Sequence, residues 1–175
     1  ADQPKRNGWA YLVAGQLGWP TRIDGIHGTG FINPGESGQD YASRIAKLTK
    51  DARPDVVVLE GGQNDHASPS GELTDAVTRE VGQVKAAFPG VLVVVCGPAA
   101  PWPLGKYMPR LDDAIRKGAA EAGASYISPV TQKWITAENT DEYGYKDGSH
   151  LSTAGHAYFA ERFLVDFRAI IHPAS

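Results

Sequence analysis

The chain has 175 residues, 42 % of them hydrophobic, which suits one ordinary domain with a core of its own and argues against disorder. Its formal net charge of -3, with Lys and Arg scattered, argues against a nucleic-acid role and against a polybasic membrane anchor. A single cysteine, Cys96, rules out an internal disulfide and reads as a buried, inert thiol because it closes an apolar run.

Residues 8–17 have the pattern of a first helix, and residues 21–26 that of a short strand ending in the glycine-rich run Gly25-Ile-His-Gly-Thr-Gly30. Tyr41, Ile45 and Leu48 share a helical face. Residues 55–60 are the clearest strand, a continuous apolar run as expected when both faces of a sheet are covered. Ser70 is placed to cap the next helix, whose stripe Leu73, Val77, Val81, Val84 and Phe88 ends at Pro89-Gly90. Residues 91–96 form a second strand. Residues 98–109, rich in Pro and aromatics, read as a rim loop. Leu111, Ile115 and Ala119 mark a helix stopped near Gly123, followed by a short strand over 124–128. The last helix covers about 152–171, with Phe159, Phe163, Phe167 and Ile170 near one face. Strands alternating with helices predict an α/β fold with a mostly parallel sheet. No repeat, low-complexity tract or linker divides residues 1–175, so a single domain is expected.

Three segments fall at strand ends or late loops, the edge where open α/β sheets bind ligands. Gly25 to Gly30 fits a tight turn, or backbone N–H groups turned toward an anion. Glu60-Gly-Gly-Gln-Asn-Asp65 fits common turn chemistry, or a neutral amide, Asn64, offered to a developing oxyanion. In Lys146-Asp-Gly-Ser-His-Leu-Ser152, Asp147 lies three residues before His150. That spacing lets a carboxylate accept the imidazole Nδ1–H and leaves Nε2 as general base; a capped turn with a surface histidine is the plain alternative. No third His or Cys recurs at ligand spacing, so no metal is implied.

Taken together, the order and residues of these segments resemble the conserved blocks of the SGNH (GDSL-type) hydrolases. The resemblance runs over essentially the whole chain from Gly8. It implies a flavodoxin-like three-layer α/β/α sandwich and a serine esterase or lipase cleaving acyl esters of carbohydrates or lipids, with no cofactor. On this resemblance Gly28 supplies a backbone N–H to the oxyanion hole, with Gly30 as an alternative. Asn64 of Gly62-Gln-Asn-Asp65 is the side-chain donor, and His150 is the base oriented by Asp147.

One block departs. The family's Gly-Asp-Ser, on its first strand, has no counterpart here; Ser37 of Gly35-Glu-Ser-Gly38 follows the second block and precedes no matching strand. The expectation is a first strand and nucleophilic serine lying upstream of this chain, carried by an N-terminal peptide of the same precursor. His66, Trp102 and Tyr145 are candidate substrate contacts. Met108, Trp134 and Tyr143 also fall in loops flanking the proposed site and fit either a pocket lining or covered core edges. His27 is open to either reading, His156 reads as packing or surface, and Asp112-Asp113 as a solvated helix face. A non-catalytic sugar- or acyl-binding relative and an acyltransferase are the alternatives. A dinucleotide-binding loop fails because Asn33 stands where a third glycine is needed. No apolar run is long enough to span a membrane. No signal peptide is visible, yet a processed secreted protein would look the same, so the compartment is left open.

Overall fold

The structure, a computed structural model, describes residues 4–48 and 53–172. Its elements in chain order are α1 (Pro4–Asn7), α2 (Trp9–Leu17), α3 (Tyr41–Ile45), β1 (Val56–Glu60), α4 (Ser70–Ala87), β2 (Leu92–Cys96), α5 (Met108–Glu121), β3 (Ser125–Ile127), α6 (Thr140–Tyr143) and α7 (Thr153–Ile171). The architecture is α/β with a parallel sheet and helices, as the alternation of periods predicts. Two compact units are built from interleaved stretches: Ile26–Pro98 with Tyr107–Thr131, and Ala1–Gly25 with Ala99–Lys106 and Gln132–Ser175.

The first unit holds the sheet, in the order β1-β2-β3. Val56 pairs with Leu92 and Glu60 with Cys96, and Cys96 also pairs with Ile127, all parallel. Val93 to Cys96 are buried, which is why this strand reads as an unbroken apolar run. Among the described residues β1 has one neighbour, β2.

Helices α4 and α5 cross closely because Gly118 has no side chain; a Cβ there would lie 2.5 Å from the Thr74 carbonyl oxygen. Thr74 donates its hydroxyl to the Ala114 carbonyl (3.0 Å), and Lys85 caps the end of α5 through the carbonyls of Ala122 and Gly123 (2.7 and 2.8 Å). Leu73, Val77, Val81 and Val84 fill the face toward the core as the stripe predicts.

In the second unit α2 packs on α7 through aromatic rings. Trp9 lies 5.0 Å from Phe159 and 5.1 Å from Phe163, and the fully buried Trp134 meets Phe159 edge-on at 5.0 Å. Ser152 caps α7 by accepting the Gly155 N–H at 3.0 Å.

Three expectations are corrected. Residues 21–26 form no strand: among the described residues no neighbouring strand takes up their backbone groups, and Thr21 turns its hydroxyl back to the Trp19 carbonyl (2.9 Å). Ser70 is the first residue of α4, not its cap. Pro69 holds that place with no side-chain cap bond, and the Ser70 hydroxyl accepts from Arg110 instead (3.2 Å). Trp134, open to two readings, is fully buried and takes the core one. Asp112 is buried, not solvated: it accepts from the hydroxyls of Tyr126 (2.7 Å) and Ser128 (2.9 Å), and burial pushes its carboxyl upward against the pull of those bonds.

Candidate active site

Asn64 sits on a single 3₁₀ turn, Gln63–Asp65, that begins directly after β1 and Gly61-Gly62. Its side-chain amide donates one N–H to the Thr29 carbonyl (2.8 Å), and its own carbonyl accepts from the Asn33 side chain (2.9 Å). An amide nitrogen carries two N–H groups, so the second has no protein partner among the described residues.

Thr29 belongs to the glycine-rich turn. Its N–H and hydroxyl both reach the Ile26 carbonyl, and Arg44 of α3 donates to its Oγ1 at 3.0 Å. Gly28, at φ +74, adopts a left-handed conformation that glycine holds without strain. Its N–H makes no hydrogen bond among the described residues. Gly30 differs, because its N–H is already given to the Asn33 carbonyl at 2.8 Å. Of the two glycines named by the sequence pattern, the geometry therefore leaves Gly28 as the available donor.

Asp65 is the residue of this loop cluster that sequence reasoning missed. Its side chain is 1 % exposed and accepts three successive backbone N–H groups: Phe31 at 2.9 Å, Ile32 at 3.0 Å and Asn33 at 2.8 Å. Gly30 is required beside it, since a Cβ there would lie 2.3 Å from Oδ2. These partners lie more than thirty residues upstream, so nothing local to Asp65 marks them.

Asp147 and His150 stand in a loop of the other compact unit. Tyr145 donates its backbone N–H to the His150 carbonyl at 2.7 Å, and the Gly148 N–H returns to the Tyr145 carbonyl at 3.0 Å. Gly148 has φ +69, and a Cβ there would press on Pro103 at 2.9 Å. The loop thus closes tightly enough to bring Asp147 Oδ2 within 2.7 Å of His150 Nδ1.

The other carboxylate oxygen accepts the N–H groups of Ser149 and His150, both at 2.9 Å. The His150 N–H first, then that of Ser149, holds the Asp147 carboxyl well below the usual carboxylate range. An ionised carboxylate on Nδ1 makes that nitrogen the proton-bearing one, so Nε2 carries the basic lone pair. The Ser149 hydroxyl also approaches Nδ1, at 3.1 Å. With side chains 53 % and 39 % exposed, His150 and Asp147 are open to an incoming ligand.

The remaining candidates divide. Exposed His66 has its ring 6.0 Å from that of Tyr107, and Arg110 holds its carbonyl at 2.7 Å. Trp102 and Tyr145 are exposed in the unit that carries His150, and Tyr145 adjoins it through the backbone. Met108 is buried at the start of α5, and Tyr143 stacks on Tyr158 at 4.3 Å, so both are packing residues. Ser37 lies on an exposed turn with its hydroxyl on the Pro34 carbonyl (3.2 Å). His27 is exposed. His156 is half-buried and accepts the Trp9 N–H at 3.4 Å, and burial pushes its imidazole down to about 4.

Comparison with known proteins places the chain. The pattern of the GDSL-like lipase/acylhydrolase family matches residues 1–158. A GDSL lipase of Mycobacterium tuberculosis is 27 % identical over 162 residues, covering 88 % of this chain and 67 % of the relative. In fold, the chain is similar to a carbohydrate acetylesterase from Sinorhizobium meliloti (TM-score 0.75, 17 % identity, 96 % of this chain and 87 % of that one). It is also similar to an acetyl-xylooligosaccharide esterase from Geobacillus (TM-score 0.70, 18 % identity, 91 % and 80 %). The chain has the SGNH hydrolase fold and belongs to the GDSL-like lipase/acylhydrolase family, whose members are hydrolases of the esterase and lipase type.

Proposed function

We propose that the protein hydrolyses acyl esters by a serine mechanism in which His150 is the general base, Asp147 orients it, and Gly28 and Asn64 bind the oxyanion. The observation that carries this reading is the 2.7 Å contact of Asp147 Oδ2 with His150 Nδ1, backed by two backbone N–H groups on the other carboxylate oxygen. A carboxylate pinned in this way fixes both the ring and its tautomer, which is what a base for a hydroxyl nucleophile needs.

The nucleophile in this proposal is a serine, which the family resemblance puts in a Gly-Asp-Ser block. Its hydroxyl attacks the ester carbonyl while Nε2 of His150 takes the proton and Asp147 stabilises the imidazolium. Negative charge on the carbonyl oxygen meets the Gly28 N–H and the second N–H of Asn64. The imidazolium then gives its proton to the leaving alcohol as the tetrahedral adduct collapses to the acyl-serine. Water repeats the cycle and releases the acid. The substrates this supports are small-molecule acyl esters, of carbohydrates or lipids.

The test is ester hydrolysis by the natural full-length protein carrying Asn64→Ala. Turnover of p-nitrophenyl acetate should fall by roughly two to three orders of magnitude, the usual worth of one oxyanion donor, with the melting temperature retained. A loss of activity that merely tracks a loss of stability would make Asn64 a turn residue. Activity should also survive EDTA; strong inhibition reversed by a divalent cation would contradict the metal-free mechanism.

A further inference from the structure

The chemistry above leaves Asp65 without a part, yet it is buried in the loop cluster around Asn64. Its carboxylate receives the N–H groups of Phe31, Ile32 and Asn33, the three residues that follow Gly28-Thr-Gly30. The same turn is tied to Asn64 from the other side, because Thr29 accepts the Asn64 amide and Asn33 donates to the Asn64 carbonyl. Asp65 is the next residue after Asn64, so one carboxylate fixes the spacing between the two oxyanion donors.

We infer that Asp65 is a positioning residue for the reaction: its buried carboxylate, clamped on three successive N–H groups, holds the Gly28 turn in register with Asn64. The inference rests on the reading of Gly28 and Asn64 as the oxyanion donors. Charge-assisted bonds from three backbone donors are stronger than neutral ones, and they fix direction as well as distance. Asparagine is a poor replacement, because its amide nitrogen would turn donor against donor and leave a buried N–H unmet.

Gly30 supplies an independent handle. A methyl group there would lie 2.3 Å from Oδ2 and must displace the carboxylate while leaving its charge in place. The experiment is steady-state hydrolysis of p-nitrophenyl acetate by the natural full-length protein and its Asp65→Asn, Gly30→Ala, Asn64→Ala and Asp65→Asn/Asn64→Ala variants, each with a thermal melt. Misplaced donors should lower kcat about a hundredfold while KM stays within about twofold. In the Asn64→Ala background, Asp65→Asn should cost far less than it does alone, since both act on one arrangement.

An unchanged kcat per folded molecule in Asp65→Asn, fully additive losses, or failure of both Asp65→Asn and Gly30→Ala to fold would each overturn the inference. Full activity of Asn64→Ala would instead remove the oxyanion reading itself, and this inference with it. Loss in Asn64→Ala without loss in Asp65→Asn would remove this inference alone.

Discussion

At the scale of single residues, the Asp147 carboxylate depends on its two backbone partners as much as on the histidine. Because the folded protein holds its pKa below the ordinary 3.8, the stability it adds is fully present above that value. It is lost only as pH falls through the lower, folded one. The rate should therefore show no titration of Asp147 above pH 4. Asp147→Asn keeps the shape but offers an amide to Nδ1, which favours the wrong tautomer; kcat should drop on the order of a thousandfold or more. A pH–rate profile and kcat of that variant check both points.

The pairing of Asp147 with His150 is legible in the sequence because it is local, three residues apart in one turn. Asp65 is not, because its partners are distant in sequence and are backbone atoms that any residue carries. Asp112 is misread for a related reason. An Asp-Asp pair on a helix looks solvated until the fold brings the hydroxyls of Tyr126 and Ser128 against one member of it.

Among the elements, α4 carries an unusual burden. Glu80 is fully buried, neither carboxylate oxygen has a hydrogen-bond partner among the described residues, and its position continues the apolar face of the helix. Burial pushes its carboxyl up to about 9; nearby Asp40 and Asp65 add to the rise and Arg79 opposes it. An acid with a raised folded pKa stabilises the fold fully below its unfolded value, and that contribution is lost as pH rises toward 9. Glu80→Gln should therefore raise the melting temperature at pH 8 and flatten its decline between pH 5 and 9. A variant that melts lower at pH 8 than the parent would contradict this account.

His156 gives the opposite slope in the α2–α7 pair. With its pKa pushed down to about 4 from 6.5, the folded state loses stability as pH falls through that window, because the unfolded chain takes up the proton first. His156→Gln should remove this acid-side loss in thermal melts. Helices and buried strands were readable from their apolar periods. Residues 21–26 were not, since a strand exists only where another strand receives its backbone groups, and sequence period alone does not supply that neighbour.

For the whole molecule, one order of segments joins sequence to family. A glycine-rich turn comes first, then Gly-Gln-Asn-Asp after β1, then Asp-Gly-Ser-His before the last helix. The structure builds each segment into a defined local geometry: a Gly28 N–H and a second Asn64 amide N–H without partners among the described residues, and an imidazole held by a carboxylate.

The central claim is that His150 serves as base to a serine nucleophile. The most direct measurement is labelling of the natural full-length protein by a fluorophosphonate probe, followed by intact mass. The account predicts one adduct per molecule, on serine, and loss of rapid labelling in His150→Ala while the melt is retained. No adduct in the parent, or labelling as fast in His150→Ala as in the parent, would contradict it.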